Sequence, residues 1–199
     1  MSNWPRLPGE TPVDDISGLI PKGVTTRAQL NEREAENIRA ATVRYLAARP
    51  SRRQAPFTLA WCLKLHQQMF GKVWRWAGTT RITELNPGVP AHRIQTDLQS
   101  LLDDALYWRD NEVFDVVEQA ARLHHRAVYV HPFLNGNGRW SRLLANVWLK
   151  QANAPVIAWP EQTIGDESVI RQDYLAAIRL ADGGDYAPLI ELHRSFAIR

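Results

Sequence analysis

The sequence predicts an all-α domain decorated with one β-hairpin. Three observations carry this reading: apolar residues recur at helical spacing in successive segments, Pro, Gly or Asn separates those segments, and only residues 74–93 hold an extended, threonine-rich stretch. Residues 1–30 contain four of the twelve prolines and are expected to form an irregular arm, with residues 31–199 as a single domain behind it.

The elements follow in order. Residues 31–49 are rich in Ala, Glu, Arg and Leu and stop before Pro50, which predicts a helix. In residues 57–70, Phe57, Trp61, Leu65 and Met69 make one buried helical stripe, and Gly71 stands at the C-terminal cap position. Residues 79–93 turn at Asn86-Pro87-Gly88, the signature of a hairpin flap. Ile94, Leu98, Leu101, Leu102, Ala105 and Leu106 predict a third helix, and Val116, Val117, Ala120, Ala121, His124, Ala127 and Val128 a fourth. After a glycine-rich loop at 136–138, Leu143, Leu144, Val147 and Trp148 mark a fifth. Two closing helices are expected at 168–181 and 186–197, split by Gly183-Gly184-Asp185.

Composition excludes several function classes. The longest apolar runs, such as Ala55 to Leu63, fall well short of the roughly 18 residues of a membrane span. The first residues lack a basic stretch followed by an apolar one, so no secretory signal is read and a cytoplasmic location is expected. Cys62, the one cysteine, has no intramolecular partner, and no CxxC or HExxH spacing suggests a structural metal. The pI of about 9.2 reflects 24 basic against 21 acidic residues without a dense basic run, so nucleic acid is not an expected partner. The eight tryptophans read as core packing.

The chemistry concentrates in His131-Pro132-Phe133-Leu134-Asn135-Gly136-Asn137-Gly138-Arg139-Trp140-Ser141-Arg142. Gly136 and Gly138 flank Asn137 where a helix starts, so the backbone can bend and turn its N–H groups, with the helix dipole behind them, toward an anion. Arg139 and Arg142 stand three apart on the following helix, placed to grip successive phosphates. His131, at the end of the preceding helix, has the ordinary pKa for accepting a hydroxyl proton beside that phosphate. Each piece also has a plain structural use: a turn, solvated arginines, a histidine at a helix end. His124 lies on an apolar helix face and reads as a core histidine, and His125 has only its position to recommend it.

This segment resembles the signature of the Fic (Fic/Doc) family, H-P-F-x-D/E-G-N-G-R-x-x-R, at eleven of twelve positions. Leu65-His66, Trp76-Ala77-Gly78 before a flap, and Tyr174 through Asp185 look like the family's flanking elements, so the resemblance spans residues 30–195. The arm GETPVDDISGLIP and the helix with Glu36-Asn37 are similar to the subgroup called mobile mystery protein B. The resemblance implies a Fic-type helical bundle with one β-hairpin flap. It implies transfer of AMP from ATP to a Ser, Thr or Tyr hydroxyl of a target protein, with self-modification and a homodimer as further possibilities. By position, His131 matches the general base; Gly136, Asn137 and Gly138 match the anion hole at the α-phosphate; Arg139 matches the β-phosphate grip and Arg142 the γ-phosphate grip. Thr79, Thr80, Arg81, Ile82 and Thr83 match the flap that aligns the target as an added strand.

The departure is Asn135, where the family has Asp or Glu to hold Mg²⁺ (or Mn²⁺); an uncharged ligand implies weaker metal affinity. Transfer of another nucleotide or a phosphate group, and a catalytically weakened nucleotide-binding regulator or toxin-like module, are the alternatives this opens. Many family members are restrained by Ser/Thr-x-x-x-Glu-Gly/Asn on a helix, and Glu36-Asn37 fits its end, with Glu32 in place of Ser/Thr. The resemblance implies that Glu36 opposes Arg142 in an inhibitory ion pair.

Overall fold

The computed structural model describes residues 16–160 and 168–198. Residues 1–15, half of the expected arm, lie outside the described residues. Among the described residues seven α-helices run in chain order: α1 Arg27–Leu46, α2 Leu59–Phe70, α3 Ile94–Asp110 behind a 3-10 turn at Ala91–Arg93, α4 Val116–Val130, α5 Asn137–Gln151, α6 Val169–Asp182 and α7 Ala187–Ser195. Their starts are set by local chemistry. Thr26 and Gln29 form a capping box, so α1 begins four residues before its expected start; Thr58, Asp115 and Ser168 cap α2, α4 and α6 through their side-chain oxygens.

Helix α5 is the axis of the fold. Both its faces are covered, with Trp140, Leu144, Val147 and Leu149 among its buried residues. It packs on α4, and α4 on α3, α6 and α7, while α1 lies across α2 and α5. Trp61, Trp74, Trp140, Trp148 and Trp159 are all buried, each removing a large apolar surface from water. His124 sits in this core as expected, its ring bonded to Tyr174 Oη at 3.0 Å and 3.4 Å from His193.

The expected β-hairpin is not formed among the described residues. Residues 79–93 make no strand pair; the chain's β-bridges are isolated, Leu19 with Trp74 and Ile157 with Ala197. The physical reason is Arg81. Its buried guanidinium donates to the carbonyl of Thr83 at 2.8 Å and to that of Val89 at 2.5 Å, so one side chain joins the two limbs that main-chain hydrogen bonds would otherwise join. The segment is an extended flap turned at a cis Asn86-Pro87 bond.

Candidate active site

The sequence motif folds into the corner between α4 and α5. Helix α4 ends at His131 in the left-handed conformation, φ 49 and ψ 59, with its N–H closing on the Ala127 carbonyl. The chain restarts as α5 after Gly136, φ 78. A Cβ at Gly136 would lie 2.5 Å from Phe70 Cζ, so glycine is required there both by conformation and by space. The first-turn amides of α5 and the positive end of the helix dipole are left without a side-chain cap, an arrangement suited to an anion. Asn137, expected at the anion hole, uses its side chain otherwise: Oδ1 accepts from Phe133 N–H at 2.9 Å and Nδ2 donates to the Phe133 carbonyl at 2.8 Å. It braces the loop from within, and its contribution to a cradle reduces to its main chain. Phe133 is buried against the His66 ring, centroids 3.6 Å apart, and edge-on to Trp140.

His131 is buried, and its pKa is pushed down to about 4. Burial is the main cause; the Val128 carbonyl, hydrogen-bonded to the ring, pulls the other way, and the Arg81 charge adds to the fall. The imidazole is therefore neutral at pH 7, with one ring nitrogen able to accept a proton. Arg81 also fixes the backbone here: its Nε donates to the His131 carbonyl at 2.7 Å and its main-chain N–H to the Pro132 carbonyl at 2.9 Å. Of the five flap residues expected to meet a target, Arg81 is thus turned inward, while Thr79, Ile82 and Thr83 face solvent, Ile82 with 91% of its surface exposed.

The two arginines go to different neighbours. Arg139 Nη1 donates to Glu34 Oε2 at 2.6 Å, and its guanidinium lies over Phe70, 4.9 Å from the ring centre. Arg142 is buried, 5.7 Å from the Tyr174 ring and close enough to His124 to depress that residue's pKa further below the level set by burial and His193.

Glu36 does not occupy the expected inhibitory place. On α1 the buried residues are Leu30, Glu34, Asn37, Ala41 and Tyr45, a single stripe at helical spacing. Glu36 lies about 200° around the helix from Glu34, in solvent, 3.8 Å from Arg33. The carboxylate that reaches the motif is Glu34, 2% exposed, which accepts from Trp74 Nε1 at 2.7 Å as well as from Arg139. Asn37 fixes the helix, donating to the Gln68 carbonyl and accepting from Lys72 N–H.

Asn135 Oδ1 accepts from the N–H of Gly136, and its main-chain carbonyl accepts from His66 Nε2 at 3.1 Å. Among the described residues no group of three or more His, Cys, Asp or Glu is placed to hold a metal ion. One neutral amide oxygen, already shared with a main-chain N–H, does not make a resident metal site.

Glu34, Trp74 and His66 were not singled out by sequence for these contacts. A signal for Glu34 was present: it interrupts the apolar stripe of α1, where a charge survives only with a partner. Two surface cavities, of about 510 and 520 Å³, are lined by residues outside the motif. The guanidinium of Arg139 is engaged by Glu34, which Trp74 holds in turn.

Fold and site together define a helical domain with a glycine-capped helix start, a buried neutral histidine before it and two arginines on the turns that follow. The chain is a member of the Fic/DOC family, whose model matches residues 56–149. It is 33% identical over 137 residues to protein adenylyltransferase Fic of Drosophila grimshawi, a match covering 67% of this chain and 27% of that protein. To protein adenylyltransferase fic-1 of Caenorhabditis elegans it is 30% identical over 136 residues, covering 64% and 25%. The chain thus spans about a quarter of the curated relatives it matches. Its fold is similar to that of the BepC protein of Bartonella tribocorum, solved with bound AMPPNP, with a TM-score of 0.68 at 20% identity over 93% of this chain and 94% of that one. Fic-1 residues 134–508 of C. elegans give 0.68 at 24% identity, covering 89% and 51%. No helix of the described residues is long and apolar enough to cross a membrane.

Proposed function

We propose that this protein is a protein adenylyltransferase that moves AMP from ATP to a Ser, Thr or Tyr hydroxyl of a target protein. The observation that carries this reading is the neutral His131 held beside the glycine-capped start of α5, with Arg139 and Arg142 on the turns that follow. ATP lies with its phosphates on the α5 amides and the two arginines. The target hydroxyl oxygen attacks the α-phosphorus, its proton passes to His131, and the bond from that phosphorus to the bridging oxygen breaks, releasing pyrophosphate. The amides stabilise charge growing on the α-phosphate oxygens. The triphosphate's negative charge draws the His131 pKa back upward, which strengthens the base once substrate is bound.

Residues 31–199 act as one unit in this reading, in the cytoplasm, with the flap's solvent-facing main chain at 79–83 docking an extended target segment. Mg²⁺ would be held chiefly by the nucleotide's own phosphates, with Asn135 Oδ1 the one side-chain oxygen the loop would offer it, and would offset charge on those phosphates. The in-chain brake is retained with a changed residue: Glu34, holding Arg139, replaces the expected Glu36.

The test is incubation of wild type, Glu34→Gln and His131→Ala with α-labelled ATP, Mg²⁺ or Mn²⁺ and a cell lysate. Label on protein that strengthens in Glu34→Gln and vanishes in His131→Ala supports the reading. ATP binding without label from any nucleotide refutes transfer and leaves a binding module.

A further inference from the structure

We propose that His66 is a positioning residue that indexes the flap to the phosphate loop, so that target strand and nucleotide are held at one fixed separation. The inference rests on the transferase reading above and concerns a residue that touches neither substrate.

His66 lies in the middle of α2 with no exposed surface. Its Nδ1 is 3.0 Å from the N–H of Gly78, and a main-chain N–H only donates, so Nδ1 is the unprotonated nitrogen. Its Nε2 is 3.1 Å from the carbonyl of Asn135, which only accepts, so Nε2 carries the hydrogen. Both contacts close with a single species, the neutral imidazole protonated at Nε2. Burial, with the Arg139 charge, pushes the ring's pKa down to about 3 against the pull of the Asn135 carbonyl, which keeps that species in place across the physiological range.

The two groups it joins bond to different nitrogens of the one ring. Gly78 is the root of the flap, in a left-handed conformation with φ 83; a Cβ there would lie 2.8 Å from Gln67 Cβ, so the flap leaves α2 in close contact with it. Asn135 directly precedes the Gly136 cap of α5. The ring face is stacked on Phe133 at an interplanar angle of 14°, two residues from His131. One rigid imidazole thus spans flap root, phosphate loop and base-bearing segment, and a ring cannot stretch. Displacements on the order of 1 Å at a reacting centre cost about 100-fold in rate, so such a spacer is matched to a reaction that must align a flap-held hydroxyl with an α-phosphate.

Two amide variants separate the halves of this link. In His66→Asn, Oδ1 stands as many bonds from the backbone as Nδ1 and retains the Gly78 partner while losing Asn135. In His66→Gln, Nε2 stands as far along as the ring Nε2 and retains Asn135 while losing Gly78. Both are made in the Glu34→Gln background, with melting temperature, calorimetric affinity for a non-hydrolysable ATP analogue, and amide hydrogen exchange as readouts. His66→Asn is expected to weaken analogue binding roughly tenfold, the scale of one lost hydrogen bond, and to speed exchange at 135–138. His66→Gln is expected to bind the analogue within about twofold, to speed exchange at 79–83, and to raise the KM for the target. Parallel loss in both variants, or no change in either, overturns the inference and leaves His66 a packing residue. Should either variant fail to fold, ¹⁵N spectra of wild-type histidine decide: a neutral His66 ring protonated at Nε2 supports the inference, and one protonated at Nδ1 overturns it. Failure of the transferase reading shows separately, as absence of label in the parent Glu34→Gln protein.

Discussion

Replacing Glu34 with Gln should release Arg139 and raise nucleotide affinity by at least tenfold. The 2.6 Å contact joins two charged groups, with Glu34 almost wholly out of solvent, and hydrogen bonds of this kind contribute about 1.5–3 kcal/mol. If triphosphate must displace that contact, removing the carboxylate charge returns the same energy to binding, a factor of about 10 to 150. Gln is the informative replacement because it preserves volume and leaves an oxygen for the Trp74 indole N–H. The measurements are calorimetric titration with a non-hydrolysable ATP analogue and initial rates of label transfer, with the melting temperature as a check on folding. Glu36→Gln is the control. Its carboxylate is exposed and 3.8 Å from Arg33, a surface pair of about 0–1 kcal/mol, so both readouts should stay within about twofold. A folded Glu34→Gln protein with unchanged affinity, or activation by Glu36→Gln instead, refutes the reasoning.

Three further outcomes are expected. Stability should fall as pH drops from 7 to 5: His66 and His193 are buried with pKa values of about 3 and about 4 against an unfolded value near 6.5, so the unfolded chain takes up protons first. Stability is complete above about pH 6.5 and is lost on acidification at about 1.4 kcal/mol per pH unit per histidine, about 2 kcal/mol each at pH 5; a melting temperature that does not move between those pH values contradicts the assignment. Asn135→Asp should lower the Mg²⁺ concentration giving half-maximal transfer, since it adds an anionic oxygen beside the loop; an unchanged Mg²⁺ titration would place the metal elsewhere. Gly136→Ala should abolish analogue binding, because its Cβ would meet Phe70 at 2.5 Å and the cap holds φ 78; analogue binding near wild-type strength in calorimetry contradicts the cradle.

The helices were legible because burial in them is periodic, and the loop between α4 and α5 because glycine, arginine and histidine each carry a distinct chemistry there. The flap was misread as a ladder since threonines and a proline turn look the same whether limbs join through their main chains or through one inward arginine. Arg81 gave no sign of its inward direction: an arginine in a threonine-rich run is ordinarily solvated, and only Gly88, approaching the guanidinium closely, makes room for it. Glu36 drew attention by its neighbour Asn37, yet the phase of Leu30, Ala41 and Tyr45 put Glu34 inward. A short motif is blind to helical phase unless the stripe around it is read first.

Helix α1 is anchored along its length, by Leu30, Ala41 and Tyr45 in the core, by Asn37 on Gln68 and Lys72, and by the Tyr45 hydroxyl on the Gln68 side chain. Undocking it would expose these groups together, whereas opening the ion pair takes only a rotamer change of Arg139, whose side chain is 30% exposed. The two routes differ in time: local unfolding runs from microseconds to seconds, side-chain rotation far faster. Under the proposed restraint, Glu34 would act as a rapid competitor, with the outcome settled at each encounter with nucleotide. Output would then grade smoothly with ATP concentration, as from a dimmer, without the lag of a latch that must first spring open.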